Sequence, residues 1–172
     1  MGAVSFADNY QELNLERRVM ESIAQLHPLV IHFPIVLFII YAVFEISGVV
    51  FKKDYLSKAA YILLIFGVLS ALAAVLSGNQ AGEIAKSLRI LPSEILEAHE
   101  EFATISLLYF FAILVFRTYF VIKKKFVGTI KIVFVVLSIA GCFFIFITGK
   151  YGGELVFKYG VGTEVVEKSL HE

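Results

Sequence analysis

Leu26-His27-Pro28-Leu29-Val30-Ile31-His32-Phe33-Pro34 opens the first long apolar run of the chain. Its two histidines and two prolines stand where a membrane span is expected to begin. A histidine inside a membrane span is costly, and by default it indicates a functional site. Pro28 suits the first turn of a helix. Pro34 removes a helical hydrogen bond further in, which predicts a kink beside His32.

The composition is that of an integral membrane protein. Hydrophobic residues make up 59% of the 172 residues, charged residues only 17%, and the mean hydropathy is +0.83. A soluble domain is closer to half apolar, and the length allows one domain. The net charge of zero argues against nucleic-acid binding. Because Cys142 is the single cysteine, a disulfide framework and covalent haem attachment through Cys-x-x-Cys-His are excluded.

Four apolar stretches are each long enough to cross the hydrocarbon core. They predict an all-α membrane protein, an antiparallel bundle of four transmembrane helices within a domain of residues 27–162. Residues 1–26 carry apolar side chains at helical spacing and predict an amphipathic helix, lying on the membrane surface or packed on the protein itself. Residues 163–172 form a polar tail. The expected spans are about residues 28–51, 56–76, 102–122 and 130–147.

Basic residues in the short loops indicate the orientation of such a bundle. The connections after the first and third spans, with their flanks, hold most of the lysines, opposed only by Asp54. These ends therefore face the cytoplasm, and both termini lie outside, in the periplasm if the membrane is a Gram-negative inner membrane. The basic residues concerned are Lys52, Lys53, Lys58, Arg117, Lys123, Lys124, Lys125 and Lys131.

This orientation brings His27, His32 and His99 to the outer side of the membrane. His32 lies about two turns into the first span, and His99 stands at the outer mouth of the third. Two histidines from different helices are what a b-type haem needs as axial ligands, so His32 and His99 are the expected pair, with His27 as the alternative to His32. The structural alternatives are a helix cap, a carbonyl partner and an ordinary surface position.

A transition-metal ion is the second group considered for the same histidines, His27, His32 and His99. Imidazoles together with the carboxylates of Glu83 and Glu154 suit zinc, copper or iron, although no two of these residues show a tight metal-ligand spacing. A third interpretation involves no bound group. The outer histidines and carboxylates then form a hydrogen-bonded plug in a non-enzymatic module, such as a structural subunit of a redox assembly.

Two glycine-rich segments follow the second and fourth spans, at residues 77–83 and 148–162. Glycine permits backbone with positive φ and close approach. Irregular backbone at membrane depth must be buried in protein or line a cavity. We therefore expect both segments to form packed outer loops that cover the end of the bundle. The expected lid residues are Glu83, Gly152, Gly153, Glu154 and Tyr159.

Glu45 and Arg117 are the remaining charges inside the predicted spans. Counted inward from the inner ends, each lies roughly 8–9 Å deep at the helical rise. An unpaired charge at that depth is expensive. The matching depth predicts a structural ion pair in the cytoplasmic half, and a proton path is the alternative.

The opening stretch, residues 77–83, His99-Glu100 and residues 152–162 together resemble a bacterial membrane family, domain of unknown function 2231. The resemblance covers about residues 25–162. It implies a four-span helical protein, sometimes joined to cytochrome-like modules, and this favours haem or redox chemistry by analogy. In the family a histidine often precedes the Gly-Val-Gly motif. Tyr159 stands there instead, so a two-haem, four-histidine arrangement is not expected.

These observations define the expected ligands and partners. The cofactor is haem b, with a transition-metal ion or no group at all as the alternatives. The surroundings are the lipid bilayer, and the partner is a periplasmic or membrane redox protein rather than a nucleic acid. Whether the chain forms a homo-oligomer stays open.

Overall fold

The computed structural model describes residues 6–87 and 93–161, and within these ranges the chain is helical, without a strand. Gly162 and the predicted polar tail of residues 163–172 lie outside the described residues, as do residues 1–5 of the predicted amphipathic segment. The helices are α1 (Phe6–Val30), α2 (His32–Val50), α3 (Asp54–Ser87), α4 (Ser93–Ile122) and α5 (Thr129–Tyr159).

Four segments are long and apolar enough to cross a membrane, which confirms the predicted all-α membrane bundle. The first of them joins the end of α1 to α2, and the helix is interrupted only at Ile31, between Pro28 and Pro34. Large apolar side chains cover the outside of the bundle, where lipid solvates them. The protein is therefore multi-pass and in contact with the bilayer. The four segments are Ser22–Val50, Asp54–Lys86, Ser93–Ile122 and Thr129–Tyr159.

The four spanning helices form a closed square. α2 packs against α3, α3 against α4, α4 against α5, and α5 against α2. α2 and α4 therefore face each other across one diagonal, and α3 and α5 across the other. α1 lies along α3. This arrangement puts the N-terminal ends of α2 and α4 opposite each other, at the end of the bundle where His27 and His99 lie, which we call the outer end.

Two stacked phenyl rings fill the middle of the bundle along the α2–α4 diagonal. The ring centroids of Phe38 and Phe110 are 3.7 Å apart and the rings are 6° from parallel. Both side chains are fully buried. Each ring lies against a glycine of the next helix, Phe38 against Gly67 and Phe110 against Gly141. These glycines let large rings fit between closely spaced helices.

The prediction of glycine-rich loops is wrong, because residues 77–83 and 148–159 are helical. α3 continues to Ser87 and α5 to Tyr159, well past the predicted span ends at 76 and 147. The glycines serve helix packing rather than turns: Gly78 and Gly152 each receive a side chain from another helix. At Gly160, where φ is +68°, glycine supplies the left-handed conformation that ends α5.

Replacing either central glycine with alanine is expected to destabilise the bundle. A methyl group at Gly67 would lie 2.6 Å from Cε1 of Phe38, and one at Gly141 would collide with the ring of Phe110. Because these rings are fully buried, Gly67→Ala and Gly141→Ala should each lower the free energy of unfolding by about 1–3 kcal/mol. Thermal unfolding of the purified protein in detergent measures this.

Gly149→Ala is the matched control, since a Cβ at Gly149 has nothing within 4 Å. Alanine is the better helix former by about 1 kcal/mol, so this variant should be as stable as the wild type or more stable. Equal melting temperatures for Gly67→Ala, Gly141→Ala and the wild type would contradict the tight packing at the centre.

Candidate functional site

His27 lies in the last turn of α1, and its half-buried side chain contacts α3. Its Nδ1 is 3.0 Å from Oγ of Ser77. The Ser77 hydroxyl donates its own hydrogen to the carbonyl of Ala74, at 3.1 Å. The serine oxygen therefore accepts from Nδ1–H of His27. A neutral imidazole that carries its proton on Nδ1 leaves Nε2 with a free lone pair.

His99 lies near the start of α4 and bonds to α5 in a similar way. Its Nδ1 is 3.1 Å from the carbonyl oxygen of Thr148. A carbonyl only accepts, so Nδ1 of His99 carries the proton and its Nε2 is the bare nitrogen. In the described part of the chain, the two imidazoles bond to Ser77 and to Thr148 through Nδ1. Two basic nitrogens are thereby left available to a ligand.

Both imidazoles lie on glycines. A Cβ added to Gly78 would be 2.8 Å from Cε1 of His27, and one added to Gly152 would be 3.0 Å from Cε1 of His99. Any larger residue would displace the ring. The bundle therefore holds two oriented imidazoles at its outer end, one from the end of α1 and one from α4.

His32 is not brought together with this pair. Its side chain is exposed on the outside of the bundle, and its Nδ1 is 2.6 Å from the carbonyl oxygen of Pro28, within its own segment. His32 thus makes the main-chain contact that is the structural alternative to ligation. The histidine that shares the outer end with His99 is His27, the alternative to His32 in the sequence-based prediction.

The expected lid residues have varied surroundings. Gly152 contacts His99, whereas a Cβ added to Gly153 would have nothing within 4 Å. Glu83 pairs with Lys86 at 3.3 Å, a contact between exposed residues of one helix turn. Glu154 pairs with Lys158 at 2.5 Å. Tyr159 is the last residue of α5 and is half-buried.

A metal site with three or more protein ligands does not form in the described part of the chain. No group of three His, Cys, Asp or Glu side chains comes together there. His27, His32 and His99 therefore do not converge as a three-ligand set. Two imidazoles do lie at one end of the bundle within residues 6–87 and 93–161. Two is the number of protein ligands that a six-coordinate haem takes.

Sequence reasoning did not assign Ser77, Gly78 or Thr148 to the site. Ser77 and Gly78 were expected in a loop, and Thr148 at the start of another. Their contacts with the histidines depend on how far each helix is rotated and shifted against its neighbour. Hydropathy and local spacing do not report that register. The available signal was the presence of small residues, which indicates close approach between helices.

The inner half of the bundle contains a separate polar cluster. Nη1 of Arg117 donates to Oε2 of Glu45, so the two charges expected to pair are in contact. Nη2 donates to the carbonyl and the hydroxyl of Ser57, at 2.7 and 3.1 Å. The guanidinium lies 3.8 Å from the ring centroid of Phe126. Both charged side chains are at most 1% exposed, and they lie about 27 Å along the helices from the histidines.

Comparison with known proteins places most of the chain in one family. Residues 24–165 match the family described as predicted membrane protein (DUF2231). No curated protein and no solved structure matches the chain.

Proposed function

Since the chain belongs to the DUF2231 family of predicted membrane proteins, whose description assigns no reaction, we propose a function from its own site. It is a membrane-embedded electron-transfer protein that holds one b-type haem near its outer face. His27 and His99 would hold the haem, each through Nε2. His32, the sequence-based choice beside His99, is not retained as a ligand because it faces outward and bonds to Pro28.

The protonation pattern of the two imidazoles carries this proposal. Histidines that ligate a metal usually donate their other ring N–H to a carbonyl or another fixed acceptor, which sets the tautomer and the ring orientation. His27 and His99 both donate from Nδ1 and both present a bare Nε2. A histidine with a purely structural role explains one such bond, but it does not explain why a second histidine on another helix has the same pattern. Two of them at the same end of the bundle, each oriented by a neighbouring helix, fit a shared ligand.

The chain's own residues have defined roles under this proposal. Ser77 and the Thr148 carbonyl orient the two rings, and Gly78 and Gly152 leave space for them against α3 and α5. When bound, haem supplies one-electron redox chemistry, with its potential tuned by the axial ligands and by burial. The stacked and fully buried Phe38 and Phe110 fill the bundle core between the site and the inner end.

The alternative is a non-enzymatic module without haem. In that case the histidine bonds to Ser77 and Thr148 act as a plug that ties α1 to α3 and α4 to α5, and the protein is a structural subunit of a redox assembly. A His/carboxylate metal site is the less favoured form of this alternative, because a third ligand is absent from the described residues. The two functions differ in whether the purified protein contains haem.

We further propose that the protein resides in the bacterial inner membrane with both termini outside. The helix connections 51–53 and 123–128 expose lysines at the end opposite the histidines, which the positive-inside rule assigns to the cytoplasm. The haem would then lie toward the periplasm, and its partner would be a periplasmic or membrane redox protein. A homo-oligomer is compatible with the exposed apolar helix faces.

The visible spectrum of the purified protein tests the haem proposal. The wild-type protein, expressed in haem-replete cells and purified in mild detergent, should show a Soret band. Reduction with dithionite should give the sharp α and β bands of a low-spin haem with two nitrogen ligands. Acid acetone should extract the haem, because no covalent attachment motif is present. A colourless preparation that also fails to bind added haemin would favour the structural module.

A further inference from the structure

Four buried residues of α2 have buried counterparts at equivalent positions of α4. Every counterpart in α4 lies 72 positions after its partner in α2, the same interval that separates Glu45 from Arg117. All the residues concerned are buried. The buried residues Pro34, Phe38, Tyr41 and Glu45 of α2 correspond to Ser106, Phe110, Ile113 and Arg117 of α4.

α3 and α5 match in the same way, at an interval of 74 positions. Their corresponding positions include two glycines in each helix, at the centre and at the outer end. The interval continues to the outer end, where Gly78 corresponds to Gly152. The buried residues Ala60, Leu64 and Gly67 of α3 correspond to Phe134, Ser138 and Gly141 of α5.

Contacts between helices correspond as well as positions do. Phe38 lies on Gly67 as Phe110 lies on Gly141, and His27 lies on Gly78 as His99 lies on Gly152. Helical periodicity alone can align buried faces, because every amphipathic helix repeats at 3.6 residues. It does not place the same residue types in the same pairwise contacts at two levels of the bundle.

The square of helices has the topology that a two-fold arrangement requires. A two-fold axis running down the bundle exchanges α2 with α4 and α3 with α5, and it maps the contact α3–α4 onto α5–α2. The near-parallel stack of Phe38 and Phe110 lies where the diagonal crosses this axis. Under the same exchange, His27 takes the place of His99.

From these correspondences we infer that α2–α3, with the end of α1, and α4–α5 are two copies of one helical hairpin. The outer end is a two-fold site with two equivalent half-sites, His27 on Gly78 and His99 on Gly152. A ligand there bridges the axis, takes one Nε2 from each copy and presents equivalent coordination to both sides. That this ligand is haem rests on the proposed function, whereas the repeat does not.

The copies differ at several positions, including the partners of the two imidazoles, because Ser77 corresponds to Tyr151 and not to Thr148. In the first copy the helix is interrupted at Ile31, between Pro28 and Pro34, whereas in the second copy α4 runs without a break through the corresponding Ala103. At the inner end, equivalent positions hold Glu45 and Arg117. Identical hairpins would place two like charges next to each other there, and the exchange of one sign turns that repulsion into an ion pair.

Distances between spin labels test the repeat in the full chain without any ligand. The two-fold exchange maps Ile39 onto Phe111 and Leu69 onto Phe143, and all four side chains are exposed. In a Cys142→Ala background, nitroxides on Ile39→Cys with Phe143→Cys and on Phe111→Cys with Leu69→Cys should give the same mean distance by double electron–electron resonance in nanodiscs. The control pair is Ile39→Cys with Ile139→Cys, in which the second label lies one helical turn, about 6 Å, from position 143 along α5. This control shows whether the measurement resolves a shift of one turn.

Equal distances for the two related pairs support the repeat, and a difference as large as that seen for the displaced control overturns it. Adding haemin to the wild type separates the two proposals. If haemin does not bind and the distances are equal, the proposed function fails and the repeat stands. If haemin binds and His27→Ala retains wild-type occupancy while His99→Ala does not, the half-sites are not equivalent and the two-fold site is overturned.

Discussion

Arg117→Met is expected to destabilise the bundle by about 3–5 kcal/mol, because it leaves the Glu45 carboxylate buried without its partner. Glu45 is fully buried between helices, and the guanidinium of Arg117 also donates twice to Ser57. In the membrane interior no water replaces these bonds. The midpoint of thermal unfolding in detergent should fall far below that of the wild type.

The double variant Glu45→Leu with Arg117→Met should recover most of this loss, since replacing both members of a buried ion pair by apolar residues is often neutral or stabilising. Lys131→Met is the surface control. It removes the pair between Lys131 and the exposed Asp54 and should change the unfolding midpoint little. If Arg117→Met unfolds at the wild-type temperature, the ion pair is not a structural element of the bundle.

His27→Ala and His99→Ala are each expected to abolish low-spin haem, whereas His32→Ala should retain the wild-type spectrum. The first two changes remove a bare Nε2 at the outer end of the bundle, and the third removes an exposed ring bonded to Pro28. Haem content per protein and the reduced spectrum measure the outcome. His32→Ala is the matched control, because it removes the same side chain from the same stretch of sequence.

Loss of haem could also follow from misfolding, so a chemical rescue is needed. Free imidazole can occupy the space left in His99→Ala and should restore a low-spin spectrum in protein that elutes as the wild type does in size-exclusion chromatography. Loss of haem in His32→Ala together with its retention in His27→Ala would reverse the assignment of ligands and return it to the pair expected from the sequence.

The membrane fold could be predicted from the sequence because its determinants are local. Spans of apolar residues report crossing segments directly, and the equal depths of Glu45 and Arg117 place both charges in the same layer of an antiparallel bundle. The interruption beside His32 follows from Pro34 alone. In the structure the helix breaks at Ile31, and Arg117 contacts Glu45.

The site could be predicted only to one end of the bundle. His32 and His27 are five residues apart, a rotation of roughly 140° on a helix, so which of them faces the bundle depends on a rotation that the pattern does not fix. The glycines were ambiguous as well, because Gly78 and Gly152 are compatible with a loop and with a closely packed helix. Their interhelical contacts explain why both are helical.

Pulsed electron paramagnetic resonance of the ferric, haemin-loaded protein tests the central claim most directly, that Nε2 of His27 and Nε2 of His99 share one ligand. With 15N-labelled histidine, the wild type should show a low-spin signal with two 15N axial couplings of similar size. The His99→Ala variant supplied with unlabelled imidazole should show a single 15N coupling, from His27. A wild-type protein that gives no low-spin signal, or a single histidine coupling, would contradict the account.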